Sequence, residues 1–130
     1  LGRSQANVRV KKLMLMDSLD MKDADREIIL KNCKNAQEKQ IVITHGTDTM
    51  TRTARVIDRG RLNKTIVLTG AMIPYKFGSS DGLFNLGGAI AYAQALPYGV
   101  YIAMNGRCFK WNKVKKNKST GMFEEITPDF

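Results

Sequence analysis

Three short runs of β-branched and aliphatic residues, IVITHG (Ile41–Gly46), TIVLTGA (Thr65–Ala71) and GVYIAMNG (Gly99–Gly106), do most to limit what this chain can fold into. None alternates apolar with polar residues, so each reads as a strand covered on both faces of a sheet. Segments of helical length lie between them. From Ala24 to Ala36, Ile28, Ile29 and Cys33 mark one apolar face, and Asp23 is placed to cap the N-terminus. Met50 to Arg59 carries Ala54, Val56 and Ile57 on its buried side. Thr49, Thr51 and Thr53 lower its propensity, and Gly60 ends it. LFNLGGAIAYAQAL (Leu83–Leu96) is a small-residue helix suited to close packing on a sheet, stopped by Pro97. Upstream, VRVKKLMLM (Val8–Met16) reads as an inner strand entered from solvent. Downstream of Gly106 the chain turns basic and then acidic, with one or two short extended pieces. The repeated strand–helix order predicts an α/β fold: a three-layer α/β/α arrangement with a mainly parallel sheet, Rossmann-like or flavodoxin-like.

At 130 residues the chain is expected to form one domain, 1–130, with 43% hydrophobic and 25% charged residues and 3 prolines, a globular rather than disordered composition. No apolar run reaches the roughly 18–20 residues of a membrane span, so no membrane partner is expected. Cys33 and Cys108 fall in different elements and suggest neither a disulfide framework nor a zinc site, which favours a reducing, cytoplasmic setting. The formal charge of +9 comes from basic residues scattered along the chain, those from Arg9 to Lys118 among them, with one dense patch at Lys110–Lys118. Trp111 is the only aromatic in that patch and no nucleic-acid motif accompanies it, so no nucleic-acid partner is expected.

In parallel α/β sheets ligands bind where loops leave the carboxyl ends of the strands. Three polar loops fall at that edge, Asp17–Asp20, Thr44–Thr49 and Gly70–Gly82, and a fourth follows Met104. ITHGTDTM (Ile43–Met50) is the densest of them. Thr47, Asp48 or Thr49 can cap the following helix, which accounts for one of the three. The full set suggests more: Gly46 admits a ligand to the backbone, Thr47 offers a hydroxyl, and Asp48 can receive a substrate ammonium. A threonine hydroxyl needs a base before it attacks. His45, the only histidine, is one candidate, and a lysine from the Lys113–Lys118 run is another. GSSDG lacks the spacing of a dinucleotide or phosphate loop, and no His/Cys or acidic spacing suits a metal. No cofactor is expected.

ITHGTDTM, followed by Thr53 and Ala54, resembles the second signature of the bacterial-type L-asparaginase family. LTGAMIP…SSDGLFNL resembles that family's next segment, and DSLDM its substrate-serine loop; the similarity runs in order from about Leu13 to Met122. The resemblance implies an asparaginase N-terminal domain that hydrolyses the side-chain amide of L-asparagine without metal or organic cofactor. It assigns Thr47 and Asp48 to the catalytic threonine and aspartate. It brings the family lysine onto Lys116, or onto Lys115 if the register slips by one. The substrate-binding set becomes Asp17, Ser18, Gly46 and Ala71, with Ser18 holding the substrate carboxylate and the Ala71 backbone carbonyl near the scissile amide. Asp48 takes the amino group. Members of the family open with a strand ending in TGGTI that bears the usual primary nucleophile, and carry a C-terminal domain that helps complete the site. Neither is found in this sequence, so the natural protein is expected to be longer at its N-terminus. Leu19 stands where many members have a polar residue, and Ile73 where many have arginine. The resemblance also implies a homo-oligomer, dimer or tetramer, with Leu83, Phe84 and Leu86 serving either a partner or the core. The competing readings are an amino-acid-binding module without turnover and an assembly subunit that uses the basic tail.

Overall fold

The computed structural model describes residues 1, 3–73 and 80–126. A four-stranded sheet is built from β1 (Gln40–Thr44), β2 (Thr65–Thr69), β3 (Gly99–Met104) and β4 (Arg107–Lys110), in that spatial order. The first three strands are parallel, with Ile43 opposite Leu68 and Leu68 opposite Ile102. Helix α1 (Asp23–Asn35) precedes β1, α2 (Met50–Arg59) joins β1 to β2, and α3 (Gly82–Ala95) joins β2 to β3. Alternate strand residues separate two cores. Ile66, Leu68, Val100, Ile102 and Met104 face Met50, Ala54 and Ile57 of α2, with Ile29 and Cys33 of α1 in the same cluster. Val67, Tyr101 and Ala103 face Ala89 and Ala93 of α3. Helices therefore cover both faces of the sheet, the expected three-layer α/β/α arrangement.

β2 and β3 are buried on both faces, as their unbroken aliphatic runs predict. β1 is an edge strand and only half-buried, because just one side of it is paired. The expected inner strand at Val8–Met16 does not form. Val10 and Leu15 are 73% and 82% exposed, and the stretch is extended chain without a ladder partner. Arg9 instead forks onto Glu38 with two 2.8 Å bonds, tying the stretch to the turn before β1. Ile28 points to solvent, whereas Arg26, Ile29 and Cys33 make the buried face of α1. In α2 the fully buried positions are Met50, Thr53, Ala54 and Ile57, and Val56 is only half-buried.

After β3 the chain turns back at Asn105-Gly106, both with positive φ (57° and 80°). This two-residue pair joins Met104 to Arg107 in an antiparallel hairpin, the geometry that Asn-Gly favours. A 3₁₀ turn at Trp111–Lys113 then leads into a separate hairpin of β5 (Val114–Lys116) and β6 (Phe123–Glu125). The tail thus holds three short strands, more than its polar composition suggested. Val114 and Phe123 anchor the hairpin in the larger core cluster. Leu83 and Phe84 are both 66% exposed, which excludes them from the core, and Leu86 is half-buried.

Candidate active site

The carboxyl ends of β1 and β2 and the β5–β6 hairpin meet at one rim. His45 extends the parallel ladder by donating its backbone N–H to Thr69 O at 2.8 Å, and the chain then leaves the sheet through Gly46, Thr47 and Asp48. These residues do not cap α2. Thr49 makes no side-chain cap bond, and the side chains of Thr47 and Asp48 turn to Lys116. Its Nζ donates to Thr47 Oγ1 at 2.9 Å and to Asp48 Oδ1 at 2.8 Å. Alternation along β5 explains which lysine arrives. Lys116 has 20% of its side chain exposed, while Lys115, 62% exposed, faces out and pairs loosely with Glu124 at 3.8 Å.

Ser18 reaches the same rim from a 3₁₀ turn, Ser18–Asp20, in which Leu19 donates its N–H to Asp17 Oδ1 at 3.0 Å. Asp17 therefore faces its own turn. A Cβ on Gly46 would lie 2.8 Å from Ser18 Cβ and Oγ, so a residue without a side chain is what lets the turn and the loop touch. Ser18 is 1% exposed and its Oγ has no hydrogen-bond partner. Leu19 beside it is exposed. Ala71 is the second residue of the loop after β2. That loop is held from below by Asp81, whose carboxylate accepts from Met72 N at 2.9 Å and Ile73 N at 3.0 Å. Burial opposes charge on Asp81, yet the N–H groups of Ile73 and Met72 outweigh it and draw the carboxyl below its usual range. The remaining loop residues of the MIPYKFGSS stretch, 74–79, lie outside the described residues.

Two functional-looking residues were not evident from the pattern of motifs. Asn85 is buried in α3, donating to Gly70 O at 2.8 Å and accepting from Asn105 N at 2.9 Å, so one amide braces the ends of β2 and β3. An asparagine inside an otherwise small and aliphatic helix was the available signal. Arg26 is the other: it is buried under the loop and bonded to Thr49 and Thr53. His45, the alternative base, has both ring nitrogens engaged, Nδ1 with Gly46 O at 2.6 Å and Nε2 with Thr53 Oγ1 at 2.7 Å. It braces the loop from inside and offers no free nitrogen to Thr47. Among the described residues no group of three His, Cys, Asp or Glu side chains could hold a metal ion. No helix is long and apolar enough to cross a membrane among them. Cavities of about 330 and 320 Å³ lie elsewhere, one at the amino ends of β2 and β3 and one between α1 and α2.

The comparisons with known proteins follow the same lines. The family model described as "Asparaginase, N-terminal" matches residues 2–126. The probable periplasmic L-asparaginase of Haemophilus influenzae is 37% identical over 96% of this chain and 38% of its own length. L-asparaginase 2 of Escherichia coli is 35% identical over 88% of this chain and 35% of its own length. Among solved structures, the thermostable L-asparaginase from Thermococcus kodakarensis superposes with a TM-score of 0.86 at 28% identity, covering 98% of this chain and 40% of that one. The probable cytoplasmic L-asparaginase from Campylobacter jejuni gives 0.76 at 32% identity, over 85% and 37%. The chain thus spans between a third and two fifths of the length of these relatives. With its motifs, its layered sheet and these similarities all in agreement, the chain belongs to the asparaginase family and corresponds to the N-terminal domain.

Proposed function

We propose that this domain serves an L-asparaginase-type amidohydrolase, with Thr47 as nucleophile and Lys116 and Asp48 as its partners. The observation that carries the reading is the junction at Lys116 Nζ, 2.9 Å from Thr47 Oγ1 and 2.8 Å from Asp48 Oδ1. These three side chains come from positions 68 and 69 residues apart, and a solvated charge run has no reason to end on a threonine hydroxyl. An ammonium donating to Thr47 Oγ lowers the free energy of the developing alkoxide, as a fixed charge at a transition state does. The oxygen adds to the side-chain amide carbon of the substrate, the C–N bond breaks, and ammonia leaves with the hydroxyl's proton. Water then cleaves the resulting ester, giving the carboxylic acid and restoring the Thr47 hydroxyl.

Substrate recognition uses the rest of the rim. Asp48 is exposed enough to exchange part of its pairing with Lys116 for a substrate α-ammonium. The unpartnered Ser18 Oγ supplies a donor for the α-carboxylate. Gly46 keeps the floor low, Ala71 contributes its backbone carbonyl, and Asp17 fixes the turn behind Ser18. The substrate is a small amino-acid amide, L-asparagine first, with no cofactor in the reaction. The free thiols of Cys33 and Cys108 support a cytoplasmic setting. The uncharged, exposed start of α3 supports a homo-oligomer.

Ammonia release from asparagine and glutamine, measured on the full-length gene product, tests this reading. Thr47→Ala and Lys116→Ala are each expected to lower kcat by about 100-fold or more. Unchanged turnover in both removes the pair from the mechanism. Aspartate binding without any ammonia release replaces hydrolysis with amino-acid sensing.

A further inference from the structure

Behind the rim runs a buried polar chain that the proposed reaction does not use. Arg26 is 3% exposed, and its acidic neighbour Asp23 stands in solvent 3.7 Å away. The guanidinium spends its donors inside the protein: Nε on Thr53 Oγ1 at 3.2 Å, Nη2 on Thr49 Oγ1 at 3.0 Å and Nη1 on Met21 O at 3.3 Å. Each threonine passes a hydrogen onward. Thr49 Oγ1 donates to Ser18 O at 2.9 Å. Gly46 O can only accept, so His45 carries its hydrogen on Nδ1, and Thr53 Oγ1 donates to Nε2 at 2.7 Å. The chain of donors has one direction, from Arg26 outward, and ends on both sides of the contact between the Ser18 turn and the Gly46 loop. At that contact sits the buried Ser18 Oγ without a partner.

We propose that Arg26 is a positioning residue which, through Thr49, latches the Ser18 turn to the Thr47–Asp48 loop and so sets affinity for the polar head of the amino-acid substrate. The inference rests on, and deepens, the amidohydrolase reading. A buried arginine whose carboxylate neighbour, Asp23, lies out in solvent at 3.7 Å is expensive to keep, and what it gains is a fixed geometry for three backbone and side-chain acceptors at once. Thr49 is the weak link, because its single hydroxyl both accepts from Arg26 and donates to Ser18 O.

Thr49→Val removes the hydroxyl at nearly constant shape, and Thr49→Ser keeps it. In the full-length protein Thr49→Val is expected to raise KM for asparagine about tenfold with kcat changed less than about twofold, and Thr49→Ser to return KM close to the parent value. Arg26→Met should raise KM similarly, and the double variant should be no worse than the worse single one, since both break the same link. Equal KM in the Val and Ser variants, additive losses, or a fall in kcat at constant KM overturns the proposal. A second readout needs no substrate: the amide protons of Asp20 and Met21, bonded to Asp17 O and Ser18 O, should exchange faster in Thr49→Val than in Thr49→Ser. If the parent protein neither hydrolyses amides nor binds aspartate, the amidohydrolase reading fails, while the exchange comparison still decides the latch. Equal exchange in the two variants overturns it. Should Arg26→Met not fold, the Val and Ser pair is sufficient alone.

Discussion

Burial disfavours a proton on His45, the Gly46 carbonyl opposes that effect, and the Arg26 charge adds to it; together they lower its pKa from 6.5. Between the lowered folded value and 6.5 the unfolded chain binds more protons than the native one, so stability falls as pH drops through that window. Above 6.5 the stabilisation by neutral His45 is complete. His45→Gln keeps an acceptor for Thr53 and a donor for Gly46 O without titrating. Its melting temperature should therefore vary less than the parent's between about pH 5 and pH 7, the difference corresponding to no more than about 1.4 kcal/mol per pH unit. Scanning calorimetry across that range checks it, and parallel curves for the two proteins would remove His45 as the acid-sensitive group. At this scale the sequence was readable where chemistry needs rare side chains. Thr47 and Asp48 stood out as polar residues beside a strand end, Ser18 was reached only through the family resemblance, and all three lie at one rim. Arg26 and Thr53 were not readable, because an arginine or threonine on an amphipathic helix looks solvated until its partners from another element are known.

The boundaries of α2 and the burial of β2 and β3 follow from apolar spacing, which depends only on neighbours along the chain. Elements whose fate depends on distant partners were harder to read. The alternation in Val8–Val10 describes a strand face, but a strand also needs a ladder, and none is offered to it here. The Asn105-Gly106 pair was a legible hairpin signal overshadowed by the expectation of a mainly parallel sheet. Lys64 shows a similar limit. It precedes β2 and reads as a surface charge, yet it is buried, with Nζ donating to the carbonyls of Cys33 at 2.6 Å and of Ala36. An ammonium there satisfies orphan carbonyls at the end of α1 and complements the helix dipole. Lys64→Met should lower stability by about 1–3 kcal/mol, seen as an earlier urea midpoint at unchanged slope. No change in the midpoint would show that water replaces the cap.

α3 carries no charged side chain from Gly82 to Ala95, in a molecule whose formal charge is +9. Leu83 and Phe84 begin it, each 66% exposed. If this is where copies meet, Leu83→Glu with Phe84→Glu should shift the full-length protein to a smaller species in light scattering, with the fold retained by circular dichroism. An unchanged mass would place the contact elsewhere. The dense lysine stretch invites a polyanion reading on composition alone. Folding changes its meaning, since Lys116 is spent on Thr47 and Asp48 and Lys115 leans toward Glu124.

Among the described residues the β5–β6 hairpin belongs to no larger sheet, and its Lys116 reaches Thr47. Any shortened version of the gene that stops after β4 would retain every strand of the main sheet and all three helices, with the threonine and aspartate still in place. It would keep the main sheet and lose the Lys116 contact to Thr47 and Asp48. For this chain, then, residues 111–126 carry both the Lys116 contact and the core anchors Val114 and Phe123.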